Sequence, residues 1–188
     1  DLMAVAIVGD IDKATAMKYL EKHFKPMTNP KNPRERFYAP VEARKVAKAM
    51  VLTDKEATNY NLQIIFPSMK KDKEASVNDY RKLMVRGLMT EVINRRLSDL
   101  ARSSNPPFPY AYAYVGGWAR GYESLVSATM FGEEGPEKAM MALTGEMKKA
   151  KEFGFNESEV ELARKNMMSS MEKSYNERNT TESNRLID

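Results

Sequence analysis

The chain has 188 residues, a length that fits one domain, and its 42% hydrophobic content is enough to bury a core. It contains no cysteine, which excludes disulfides, thiolate metal sites and cysteine nucleophiles while remaining compatible with cytosol or bacterial periplasm. The formal net charge of +4 raises nucleic-acid binding, but 26 acidic residues are interspersed with 30 basic ones. The basic side chains do not collect on one helix face, so a solvated, mixed-charge surface is expected, with a basic α+β nucleic-acid-binding module as the competing reading.

Met3 to Gly9 is a short apolar run, as expected for a strand covered on both faces. Asp10 and Asp12 offer N-caps, Ala14, Met17, Leu20 and Phe24 follow at helical spacing, and Pro26 stops the helix. Prolines 26, 30, 33 and 40 mark residues 26–46 as a connector crossing the surface. Lys48 to Thr53 and Tyr60 to Phe66 flank the polar turn Asp54 to Asn59 and are expected to pair as antiparallel strands.

A long helix is predicted from about Ser76 to Arg102, with Tyr80, Met84, Leu88, Ile93, Leu97 and Leu100 along one stripe. Gly87 inside it costs about 1 kcal/mol relative to alanine, and a close helix–sheet contact is the expected reason. Asn105-Pro-Pro-Phe-Pro109 breaks the helix. Tyr110 to Val115 then alternates Tyr110, Tyr112 and Tyr114 on one face with Ala111, Ala113 and Val115 on the other. A turn over residues 116–121 joins it to a second strand, Tyr122 to Phe131.

The last third reads as two helices. Pro136 suits a first helical position, Met140, Leu143, Met147 and Ala150 form the apolar stripe, and Gly154 is placed as the C-cap glycine. Asn156 and Glu159 have capping-box spacing, Phe155 can staple onto Val160, and the helix runs to about Tyr175. The order β-α-β-β-α-β-β-α-α predicts a single α+β domain over residues 1–188, with a mixed or antiparallel sheet and helices on one face. The longest apolar runs, Met3 to Val8 and Tyr110 to Val115, fall far short of the ~20 residues that span a bilayer, so no membrane partner is expected. No leader is visible, and the chain enters a strand at once and stops at Asp188 without an obvious end, so it is expected to be a piece of a longer polypeptide.

Few residues suggest chemistry. His23 is the single histidine, so no zinc cluster and no histidine-based triad can be assembled; it reads as a helix-end residue favourably placed for the dipole. Val8-Gly9-Asp10 has one glycine and two nearby aspartates, Asp10 and Asp12, which argues against a phosphate loop. The segment from Asn94 to Tyr122 carries Arg95, Arg96 and Arg102 before the proline break, then the tyrosines, then Arg120 beside Trp118. Arg102, Tyr110 and Arg120 are candidates for holding a peptide carboxylate or carbonyl. The alternative packs the tyrosine rings under helices and leaves the arginine heads solvated.

Taken in order, four stretches resemble the pitrilysin, insulin-degrading and mitochondrial-processing peptidase family. Met3-Ala-Val-Ala-Ile-Val-Gly-Asp10 is similar to the strand opening a second domain in that family, and Asn94-Arg-Arg-Leu-Ser-Asp-Leu-Ala-Arg102 to its helix ending in an arginine. Phe108 to Gly117 with Gly121 to Gly132 resembles the hairpin that follows, and Gly154-Phe-Asn-Glu-Ser-Glu159 with Leu162-Ala-Arg-Lys165 the final helix hairpin. The likeness runs over about residues 2 to 185.

That resemblance implies a parent zinc metallopeptidase whose inverted His-x-x-Glu-His motif lies in another domain; this chain has no such motif. It implies a non-catalytic domain of the N-terminal half, walling a peptide chamber, with no cofactor of its own and zinc bound elsewhere. The implied partners are the zinc-bearing domain, the second half-molecule and a peptide substrate. Active members hold substrate with an arginine and a tyrosine seven positions apart. Arg102 matches the arginine, but Tyr110 lies eight positions on, a departure that favours the wall role. A scaffold domain of a catalytically inactive relative is the second reading of the same resemblance.

Overall fold

The computed structural model describes residues 4–182 with the exception of 36, 43, 72–74 and 134. Two compact units emerge, one holding the described residues up to Ala39 and from Ser169 onward, the other Pro40–Met168. The smaller unit contains α1 (Lys13–Phe24). Of the two predicted caps, Asp12 is the one used: its carboxylate accepts from the Thr15 N–H at 2.9 Å.

Two expected strands are corrected. Residues 4–9 form no strand, and Met3 lies outside the described residues. Lys48 to Thr53 is not a strand either, and Met50, Val51 and Leu52 are 80–85% exposed. An apolar run becomes a strand only when another backbone takes its N–H and C=O groups. Among the described residues β1 (Tyr60–Ile65) pairs only with β4 (Tyr122–Phe131), and no strand lies on its other edge.

The larger unit carries a four-stranded antiparallel sheet, as expected of an α+β fold. Central β4 is flanked on one side by β3 (Ala111–Ala119) and on the other by β1 and the two-residue β2 (Met69–Lys70), which sit end to end. Between them the Phe66 N–H donates to the Leu125 carbonyl at 3.0 Å, and Pro67, which has no N–H, interrupts the ladder. The end of the proline-rich connector is tied to this sheet: the Val41 N–H donates to the Tyr122 hydroxyl at 3.2 Å and Arg44 to the Ile65 carbonyl at 3.3 Å.

α2 (Val77–Ala101) starts on Ser76, whose capping box with Asp79 is complete, and α3 (Glu137–Phe153) and α4 (Glu157–Asn176) follow the hairpin. Pro136 takes the cap position, one residue before the first helical one. Gly154 ends α3 at φ 69°, where a side chain would be strained, and its N–H donates to the Ala150 carbonyl at 3.1 Å. α2 and α3 pack on one sheet face around Ile93, Leu97, Phe108, Ala111, Ala113, Ala139 and Leu143. Leu97 and Leu143 are fully buried, and truncating either to alanine is worth about 2–5 kcal/mol. Phe108, pinned between prolines, fills the end of this core.

Two further readings change. The buried stripe of α3 is Ala139, Leu143 and Glu146, not the one drawn through Met140, which is exposed. Gly87 makes its close contact with a helix instead of the sheet: a Cβ there would lie 2.8 Å from the terminal methyl of Met167 on α4.

Candidate functional site

Small side chains set the geometry of the site. On the helix-facing side of the hairpin, Ala111 pairs with Thr129 and Ala113 with Ser127, so α2 can lie close to β3. Asn94 on α2 then reaches the outer edge of the strand. Its Nδ2 donates to the Ala113 carbonyl at 2.9 Å while its Oδ1 accepts from the Ala113 N–H at 2.7 Å. One side-chain amide thus stands in for a neighbouring strand at a single residue.

Between the C-terminal half of α2 and the start of β3 lies a groove of about 520 Å³. Asn94, Ser98, Ala101 and Arg102 line the helix side; Pro109, Tyr110, Ala111 and Tyr112 line the strand side. The strand begins on a hydrogen bond from the Thr129 hydroxyl to the Tyr110 carbonyl at 2.6 Å. Tyr110, Tyr112 and Tyr114 stand in a row on the face turned away from the helices, with ring centroids 5.6 and 5.9 Å apart. The alternation of tyrosine and alanine is as predicted, and the alternative in which the rings pack under helices is overturned: all three are exposed.

Of the three predicted site residues, the structure gathers Arg102 and Tyr110 in this groove. Arg120 lies in the turn between β3 and β4, at the other end of a nine-residue strand, about 30 Å away along it. The Arg102 backbone closes α2, its N–H shared between the Ser98 and Asp99 carbonyls at 3.2 Å each. Its side chain is exposed and has no ion-pair partner among the described residues.

Arg96 behaves differently and is not a solvated head. Nε and Nη2 donate to the two Glu159 carboxylate oxygens at 2.7 Å each, Nη2 also reaches the Gly154 carbonyl at 3.2 Å, and the guanidinium covers the Phe155 ring at 5.1 Å. Glu159 additionally accepts from the Asn156 N–H at 2.8 Å. The capping box is therefore half made, since the Asn156 side chain has no hydrogen bond among the described residues. Hydrogen bonding from Arg96, with the Asn156 N–H and the guanidinium charge adding to it, lowers the Glu159 carboxyl from 4.5 to about 2. The depression beside this pair also holds the buried Glu146, which accepts from Lys149 at 2.5 Å. Arg86 and Glu123 form a further ion pair joining α2 to β4.

Sequence reasoning placed Glu159 as the capping partner of Asn156, which its contact with the Asn156 N–H bears out, but missed its pairing with Arg96 and the role of Asn94. An asparagine in mid-helix, where it is a poor helix former, was the available signal for the second. Among the described residues no three His, Cys, Asp or Glu side chains gather to hold a metal. His23 stacks on Tyr19 in α1, ring centroids 6.3 Å apart.

The fold and site define an α+β domain with an open groove between a helix and an edge strand. Residues 1–167 match the Peptidase M16 inactive domain, and the chain belongs to that family. It is 24% identical over 187 residues to a zinc protease PQQL-like protein of Arabidopsis thaliana, covering 99% of this chain and 16% of that one. Its fold is similar to the periplasmic protease PqqL from Escherichia coli, with TM-score 0.80 at 16% identity, over 95% of this chain and 20% of that one. Against the first half of the same protease the TM-score is 0.74, again at 16% identity, over 95% of this chain and 38% of the other. The chain thus spans a fifth or less of the full-length relatives it matches. No helix among the described residues is long and apolar enough to cross a membrane.

Proposed function

We propose that residues 1–188 are one non-catalytic domain of a longer zinc-dependent metallopeptidase and form part of the wall of its peptide-binding chamber. The match to the inactive-domain family carries this reading. The donor set agrees with it: one histidine and no cysteine do not fit a zinc site, so the metal of the parent enzyme belongs to another domain. The partners are that zinc-bearing domain, a second half-molecule and the peptide. The face turned to the peptide is the one bearing the tyrosine row and the groove with Arg102 and Tyr110. Arg120 meets substrate at a point separate from Arg102 and Tyr110, because the strand holds it away from the groove.

Photo-crosslinking in the full-length polypeptide tests the orientation. Benzoylphenylalanine at Tyr112 is expected to capture a fluorescein-labelled extended decapeptide, whereas the same group at Phe153, an exposed ring at the end of α3, is not. Equal labelling from both positions refutes the chamber-wall assignment.

A further inference from the structure

We infer that residues 46–53 form an apolar arm that inserts into a cleft of a neighbouring domain of the same polypeptide, where it gains main-chain partners. The inference rests on the reading that the chain is one domain of a longer protein, and on nothing in the chamber-wall assignment. Composition sets the segment apart. Six of the eight residues Val46-Ala-Lys-Ala-Met-Val-Leu-Thr53 are apolar and Lys48 is the one charge, in a chain that is 30% charged. Val46 is 69% exposed, and Met50, Val51 and Leu52 are more exposed still. Single exposed apolar side chains need no explanation, but a contiguous run of them marks an interaction site. The main chain agrees, since among the described residues no hydrogen bond involves an N–H or C=O of residues 46–53.

The arm is rooted at both ends. Before it, Arg44 donates to the Ile65 carbonyl at 3.3 Å. After it, Asp54 turns the chain back toward β1, its carboxylate accepting from the Glu56 N–H at 2.7 Å and its carbonyl from the Ala57 N–H at 3.3 Å. Anchored ends lower the ordering cost of docking. An extended chain alternates its side chains, so Met50 and Leu52 turn to one side and Ala49 and Val51 to the other. Because both sides are apolar, the arm suits a cleft that covers it from two directions, not a flat surface. A strand edge in that cleft takes the free N–H and C=O groups, the mode in which an extended segment joins a sheet. Length identifies the host: the chain covers 16% of the Arabidopsis thaliana relative and 20% of Escherichia coli PqqL. Domains linked in one polypeptide meet at high effective concentration, whereas a second copy must first associate. A neighbouring domain with an apolar, strand-edged cleft is therefore the partner.

The test is hydrogen–deuterium exchange of the full-length polypeptide, joined to photo-crosslinking. The amides of residues 50–52 are expected to exchange at least about ten-fold more slowly than in a synthetic peptide of residues 46–53. Benzoylphenylalanine at Val51 is expected to capture a segment outside residues 1–188 of the same molecule, read by mass spectrometry on a mixture of isotope-labelled and unlabelled copies. Smaller protection overturns the proposal without any substitution having been made. Protection without capture outside residues 1–188 overturns it too, as does capture of a second copy. Capture outside those residues, together with equal labelling from Tyr112 and Phe153, refutes the chamber wall alone and leaves the arm standing.

Discussion

Replacing Glu159 by glutamine tests whether the α3–α4 junction is held to α2 by charge or by packing. Glutamine keeps the shape and an oxygen for the Asn156 N–H, but loses the charge that Arg96 embraces. A carboxyl lowered from 4.5 to about 2 corresponds, if fully realised, to about 3 kcal/mol of native-state preference for the ionised form. About a fifth of each side chain is exposed, at 18% for Arg96 and 21% for Glu159. Solvent screening at such a rim cuts the figure by roughly half, leaving about 1.5 kcal/mol. The folded-state pKa is depressed, so this stability is present above the unfolded value of 4.5 and is lost as pH falls toward 2. Urea unfolding of both proteins at pH 7, 4 and 2.5 is the assay. Glu159→Gln should lie about 1.5 kcal/mol below the parent at pH 7, and the gap should narrow steadily through the two acidic points. A constant gap across all three pH values, or none at pH 7, refutes the argument.

Gly145 sits inside α3 with nothing within 4 Å of where a Cβ would stand, so Gly145→Ala should raise stability by about 1 kcal/mol in the same titration. Ser127 is fully buried and its hydroxyl has no partner among the described residues; Ser127→Ala should therefore leave stability unchanged or raise it by about 1 kcal/mol, and a loss of more than that would reveal a hidden bond. Ser76→Ala removes a complete capping box and should cost about 1 kcal/mol. Asn156→Ala, which removes a side chain with no hydrogen bond among the described residues, should cost less than half of that in parallel melts.

Elements with strong local signals were legible before any coordinates. α2 ends within a residue or two of its predicted bounds because a stripe of apolar residues is closed by a serine box at one end and prolines at the other. The hairpin was legible because tyrosine and alanine alternate with period two, which also told which residues share a face. Met3 to Gly9 and Lys48 to Thr53 failed for a shared reason. Strand propensity says that a segment can pair but not with what, and β1 found its register on β4 more than sixty residues away. The site divides the same way. Arg102 and Tyr110 had to be neighbours, since a short proline break joins a helix end to a strand start. Glu159 lies 63 residues from Arg96, and only the packing of the helix hairpin brings them together.

Asn94 shows how the groove depends on choices made far from it in chemistry. A helix lying on a sheet stands off by the size of the side chains between them, and larger residues than Ala111 and Ala113 would lift α2 away from β3. At that greater distance the short asparagine amide would no longer span to the Ala113 main chain, and both outward groups there would face solvent or a passing peptide. The strand edge would then be a continuous template, open to main-chain pairing along its length. With alanines in place, the edge is closed at Ala113 by Asn94, while α2 runs on to Arg102, which lines the groove with Pro109 and Tyr110. Two methyl side chains thus turn an unselective sheet edge into a short slot with a cation at its mouth.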